Sequence, residues 1–310
     1  MQEEGQASAF TRFAAKNKMV IWLLILVTTL LWGYAWIGMK AGLAYMGPFT
    51  FSAFRFGLGA IAMLLVVWIS RLGLPKKEYW LPLIILGLMQ TTIVFGLVMY
   101  GLRFVGAGES SVLLYSMPMW SSILAAKVLG EKMTPGRFLG LVLAMAGLCV
   151  IVGWDVFKAV DGKMLIGEGL IVAGAVFWAL SNIYFRKKFQ GVPQLQVNAF
   201  QMFFGAIGFV LIALFAEAGE SIVLNAASWY YILFTGVFAS ALGFTLYFIV
   251  LSLVDMATAT ISTMLVPIFG LVFSNMLLGE KLTTGILIGS VLIIVGIIIA
   301  QAAGKRPRKV

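Results

Sequence analysis

The sequence predicts an all-α integral membrane protein: ten transmembrane helices, arranged as two inverted five-helix repeats around a central cavity. Three observations predict it. The 310 residues are 62% hydrophobic and only 11% charged, with a mean hydropathy of +1.03, whereas soluble domains are near half apolar and a quarter charged. Apolar runs long enough to cross a bilayer recur along the whole chain. The phrase LGEKMT at Leu129–Thr134 returns as LGEKLT at Leu278–Thr283, 149 residues later.

Spans of roughly 20 apolar residues fit at about 19–39, 48–70, 79–101, 108–128, 136–154, 165–186, 194–216, 228–251, 256–278 and 284–302. Each must be helical, because unpaired backbone cannot face lipid. Arg12, Lys16 and Lys18 precede the first run, but that run is longer than the apolar core of a signal peptide and no small-residue cleavage site follows it. The turns at Gly101–Gly108 and Leu251–Met256 are the shortest breaks.

The basic residues orient the chain. With the N-terminus inside, the ends and loops holding Arg12 to Lys18, Arg71 to Lys77, Lys127 to Arg137, Arg186 to Lys188 and Lys305 to Lys309 face the cytoplasm. Outside lie Arg103, Lys158, Lys163 and Lys281, while Lys40 ends the first helix and Arg55 lies within the second. This bias follows the positive-inside rule and puts both termini in the cytoplasm of a multi-pass inner (plasma) membrane protein. The same distribution, at loop borders, explains the +10 charge without nucleic acid.

The echo runs through both halves. At an offset of 149, Gly87 aligns with Gly236, Pro118 with Pro267, Gly140 with Gly289 and Gly147 with Gly296. At 146, Trp32 aligns with Trp178, Phe54 with Phe200 and Gly59 with Gly205. Residues 19–154 and 165–302 are therefore expected to be two copies, joined by an external linker at 155–164 and flanked by cytoplasmic tails at 1–18 and 303–310. Five helices per copy is an odd number, so the second copy enters from the opposite face. That is a transporter architecture, with its site between the repeats.

Several residues within the spans could serve such a site. Trp32 and Trp36 share a face of the first helix, as Trp178 and Asn182 do on the sixth. Gln90, Tyr100 and Tyr247 add polar groups to helices three and eight. Arg55 lies about 10 Å past Pro48 along its helix and aligns with neutral Gln201. A guanidinium there could dock a substrate carboxylate or another anion. Equally, it could reach the outer interface or pair with Glu109. Pro118 and Pro267 interrupt helices four and nine, as paired hinges or as static kinks; Ser110, Ser111, Ser116, Ser262 and Thr263 are placed to satisfy the freed carbonyls. GxxxG steps from Gly136 and Gly285 suit close packing of helices five and ten, or a dimer. The acids considered within the spans (Glu109, Glu131, Asp255 and Glu280) lie near helix ends, so no deep acid is expected to relay protons.

Function classes narrow accordingly. No histidine is present and Cys149 is the only cysteine, which leaves no internal disulfide, no Cys-based metal site and no His base. No cofactor, metal or catalytic residue is expected, and no enzyme. Each LGEK phrase reads as a glycine C-cap followed by a solvated Glu-Lys pair.

The Trp32-Gly33 and Trp178-Ala179 openings, together with a mid-helix proline followed 11 residues later by LGEK in both copies, resemble the drug/metabolite transporter superfamily, and within it the EamA-type ten-helix exporters. The resemblance covers about 280 residues. It implies a ten-helix bundle with a central cavity that carries amino acids or similar small metabolites outward as a monomer or weak dimer in the lipid bilayer. A multidrug or toxic-cation efflux transporter of the same fold is the alternative.

Overall fold

The computed structural model describes residues 17–128, 134–156, 162–253 and 263–303. The first LGEK phrase, with Glu131 and Lys132, lies outside these residues, as do Asp255, Ser262, most of both tails and residues 157–161 of the 155–164 linker. All regular structure among the described residues is helical. Helix α1 spans Lys18–Gly42 and α2 spans Pro48–Ile69. Helix α3 runs over Lys77–Gly101 and contains a π-helical stretch, Gly87–Ile93. After a short turn come α4 (Ala107–Leu114) and α5 (Met117–Val128), then α6 (Pro135–Val156), α7 (Gly162–Lys188) and α8 (Gln194–Ala216). Helix α9 joins Ala226–Leu233, a second π stretch at Phe234–Leu242, and Gly243–Leu253. Helices α10 (Leu265–Leu278) and α11 (Thr284–Ala302) complete the bundle.

Six of these helices are long and apolar enough to cross a bilayer, and Pro135–Ile151, Leu265–Leu278 and Thr284–Ala300 are shorter apolar helices. Their outward faces carry bare apolar side chains such as Trp68, Phe215 and Met276, which suits contact with lipid tails rather than water.

The expected single helix over 108–128 is two pieces. Tyr115 and Ser116 form a turn between α4 and α5, just before Pro118, which has no N–H to continue the ladder. Ser116 Oγ donates to the Leu113 carbonyl at 2.7 Å, so it serves a neighbour of the carbonyl expected to be freed. Thr263 and Met264 form the corresponding turn before Pro267.

In lipid, helices gain no hydrophobic attraction for one another and associate by close packing of small residues. Helices α6 and α11 illustrate this. A Cβ on Gly147 would lie 2.6 Å from the Gly289 carbonyl oxygen, and one on Gly289 would lie 2.6 Å from that of Gly147. Gly140 meets Gly296 in the same way. Numbering rises along one helix as it falls along the other, so the two run antiparallel. The GxxxG steps thus pack two helices of one chain. Helices α2 and α8 are also antiparallel: Phe56 stacks on Phe209 at 5.6 Å, while Gly59 abuts Met202. So are α4 and α10, through Gly108 with Leu271 and Ser111 with Gly270.

Replacing Gly147 with Ala should separate α6 from α11 and cost about 1–3 kcal/mol, the usual penalty for overpacking. Gly57 has open space around its Cβ position, so Gly57→Ala should hold or raise stability. Thermal melts of the purified variants check the contrast.

Candidate functional site

The geometry around the bundle axis begins at two glycine crossings. A Cβ on Gly236 would sit 2.5 Å from the Arg55 carbonyl oxygen, and Gly87 meets the Gln201 carbonyl oxygen equally closely. The two π stretches, in α3 and α9, therefore press against α2 and α8 at Arg55 and Gln201. Each stretch places one extra residue in its turn, a distortion found often at functional sites.

Arg55 is 5% exposed. Its guanidinium carbon lies 4.5 Å from the centroid of Phe56 and 4.9 Å from that of Phe95. Nη1 faces Met39 Sδ, and Nε has no hydrogen-bond partner. The side chain thus neither reaches the interface nor pairs with Glu109. Desolvated cation–π contacts are worth about 2 kcal/mol, less than the several kcal/mol that a buried cation costs. A buried cation held this way still favours an anion.

Phe95 links Arg55 to a second expected residue. Trp178 packs on Phe95 with centroids 5.6 Å apart, and Asn182 lies one turn further along α7, half-buried. On the other side of the bundle, Trp32 donates from Nε1 to the Ala239 carbonyl at 2.9 Å. Its ring lies 5.2 Å from both Phe244 and Tyr247. Trp36 is buried in the main core.

A polar chain crosses from α3 to α8. Thr91 Oγ1 donates to Gln201 Oε1 at 2.7 Å, and Gln201 Nε2 donates to Asn198 Oδ1 at 2.8 Å. Gln90, half-buried, is the neighbour of Thr91 on the π stretch. Tyr100 is not brought to this group. It stacks on Phe49 at the end of α3, beneath Arg103, and is 38% exposed. Pro118 and Pro267 flank the two turns already described.

Sequence reasoning passed over several residues. Phe95, Met39, Thr91 and Asn198 make the contacts above, and their roles depend on partners far away in the chain. Among acids that the sequence reading did not consider, Glu168 is fully buried near the start of α7. Glu217 is also buried. Its carboxylate accepts from the Phe49 and Thr50 N–H groups at 2.8 and 2.7 Å and from Thr50 Oγ1 at 2.6 Å. The second LGEK phrase is corrected in part. Gly279 is the left-handed C-cap of α10, with φ of 66°. Glu280, however, is not left to solvent: its carboxylate accepts from the N–H groups of Ala107 at 2.7 Å and Gly108 at 3.1 Å.

The long apolar helices define a multi-pass membrane protein, and its class follows from its relatives. The signature of the EamA-like transporter family matches residues 19–153 and again 165–301; the chain belongs to that family, and is a transporter rather than an enzyme. It is 31% identical over 278 residues to the uncharacterized transporter YoaV of Bacillus subtilis (strain 168), covering 89% of this chain and 95% of that protein. It is 27% identical over 299 residues to a probable amino-acid metabolite efflux pump of Salmonella typhimurium (strain LT2), covering 92% and 96%. A solved crystal structure shares the fold with a TM-score of 0.67 at 17% identity, over 93% of this chain and 97% of that one.

Gln201→Leu should strand the Thr91 hydroxyl and the Asn198 amide in the interior. The expected cost is about 1–3 kcal/mol, read as a lower melting temperature, with Thr91→Val recovering part of it in the double variant.

Proposed function

We propose that the protein exports amino acids or similar small metabolites by alternating access between two inverted five-helix repeats. The repeats are residues 19–154 and 165–302, joined outside by 155–164, with tails 1–18 and 303–310 and both termini in the cytoplasm of the inner (plasma) membrane. Ten helices follow when α4 and α5 are taken as one kinked span. The inversion is supported by the antiparallel packing of three helices on their repeat-equivalents: α2 on α8, α4 on α10, and α6 on α11. Other contacts are exchanged between the copies. Helix α3 packs on α7 and α8, as α9 packs on α1 and α2.

The observation that carries the substrate reading is Arg55. It is a buried cation whose Nε lacks a hydrogen-bond partner, with Phe56, Phe95 and, beyond Phe95, Trp178 beside it. A carboxylate can pair with the guanidinium while an apolar side chain meets the rings. Trp32, Trp36, Gln90, Asn182, Gln201 and Tyr247 complete the site. A buried cation at this position repels cationic drugs, which disfavours toxic-cation efflux. The name of the Salmonella relative points the same way.

Purified protein in liposomes should catalyse counterflow of radiolabelled amino acids. Movement of cationic dyes with no amino-acid counterflow across a broad panel would reject the reading. Arg55→Gln should raise the apparent KM for carboxylate substrates by at least about tenfold, a loss of about 1.4 kcal/mol, while the protein still elutes as a folded species. Unchanged transport would remove Arg55 from the site. Cysteines introduced at Lys132 and Lys281 should react from opposite faces of the membrane; reaction from one common face would refute the inversion.

A further inference from the structure

The turn between α3 and α4 is gripped by two opposite charges from elsewhere in the chain. Lys40, in the last turn of α1, donates from Nζ to the carbonyls of Leu102 and Val105, the second at 2.8 Å. Glu280, just past α10, accepts from the N–H groups of Ala107 and Gly108 in the first turn of α4. Each charge satisfies backbone groups that a helix end leaves open, and each has the sign that the local helix dipole favours.

Helix α4 brings no cap of its own. Its N-cap residue is Gly106, with no side-chain bond, and a Cβ there would lie 2.8 Å from Glu280 Oε2 and 3.0 Å from Cδ. Helix α2 is built alike. Its N-cap is Gly47, and its first N–H groups are met by Glu217 at the end of α8. An ordinary helix start is capped by a local Ser, Thr, Asp or Asn. Here two helices of the first copy borrow carboxylates from the second. A glycine leaves room for the borrowed group.

Glu280 is held ready for this. Its N–H bonds the Ser274 carbonyl, and its own carbonyl accepts from Asn275 Nδ2 at 2.9 Å, so its backbone is fixed to α10. It is half-buried, so water can replace α4 when the carboxylate leaves. The sequence repeats both charges: Lys40 has Arg186 at 146 residues and Glu280 has Glu131 at 149, Glu131 lying outside the described residues.

We infer that Glu280, gripping the α4 start across the two copies while Lys40 braces the same turn from within the first copy, forms an interrepeat lock that holds this face of the transporter closed, and that its release opens the path between α1, α4 and α10. The inference rests on the alternating-access reading above. The lock tests separately, because its readout needs no substrate. Ser110, in α4 below the lock, is fully buried. With Cys149 replaced by Ala, Ser110→Cys reports access from that face. An impermeant maleimide, applied to right-side-out and inverted vesicles, measures the rate.

Glu280→Gln should speed labelling about tenfold from the face that bears residue 280 and leave the other face unchanged. Gly106→Ala, which breaks the same contact from the α4 side, should do likewise. An unchanged labelling rate in both variants, with a lower melting temperature, makes Glu280 a helix cap only and overturns the lock. Equal acceleration from both faces means general loosening and overturns it too. Should one variant fail to fold, the other decides. Faster labelling without any amino-acid counterflow keeps the lock and rejects the substrate; counterflow without faster labelling does the reverse.

Discussion

Backbone contact between α2 and the π stretch of α9, and between α8 and the π stretch of α3, is the constraint on which the rest depends. Gly236 against the Arg55 carbonyl, and Gly87 against that of Gln201, bring helix backbones closer than any side chain would allow. Gly59 and Gly205 return the contact, with Cβ positions 2.9 Å from the Gly236 oxygen and 2.8 Å from the Gly87 oxygen. A bilayer offers helices no hydrophobic reason to associate, so dense packing and buried polar bonds must do it. Once these four glycines are seated, the direction of Arg55 and Gln201 follows. Hydroxyls on the π stretches bond nearby carbonyls: Thr92 Oγ1 donates across to the Gly205 carbonyl of α8 at 2.9 Å, and Ser240 Oγ donates to that of Thr235 in its own stretch, also at 2.9 Å.

The two halves of the centre differ chemically although their backbones match. Gln201 is neutral and spends both ends of its amide on Thr91 and Asn198. Arg55 carries charge and is met by rings and a thioether. A repeated scaffold thereby carries different chemistry on its two sides. At the membrane face, carboxylates do the opposite work. Glu217 and Glu280 hold backbone N–H groups of helices that start on glycine, and so tie one copy to the other at the same depth. Rigid contacts lie mid-bundle at the glycines, and replaceable polar contacts lie at the edge. That division suits a molecule whose copies rock about a fixed centre.

Much of the architecture was legible in the sequence. Apolar run length set the spans, because a bilayer imposes it. The echo of Gly87 in Gly236, and of Pro118 in Pro267, fell at sites where the two copies carry the same π stretch or the same turn. What spacing could not convey was the identity of distant partners. Glu280 looked like a solvated residue because its neighbours in sequence are a cap glycine and a lysine; the α4 N–H groups that hold it lie more than 170 residues away. Glu168 was missed among small residues near a helix start. Tyr100 was grouped with the site for its hydroxyl and depth, yet its ring belongs to the helix end with Phe49 and Arg103. Phe95, one phenylalanine among 24, gave no signal that it would join Arg55 to Trp178.

Alternating access requires that the two copies exchange which face is closed. Spin labels on exposed Arg103 and Lys281 at one face, and on exposed Lys127 and Lys187 at the other, permit the two faces to be read by pulsed distance measurements in the same liposomes. On addition of a transported amino acid, one distance should lengthen while the other shortens. Distances that stay fixed during measured transport, or that change in the same sense, would contradict it.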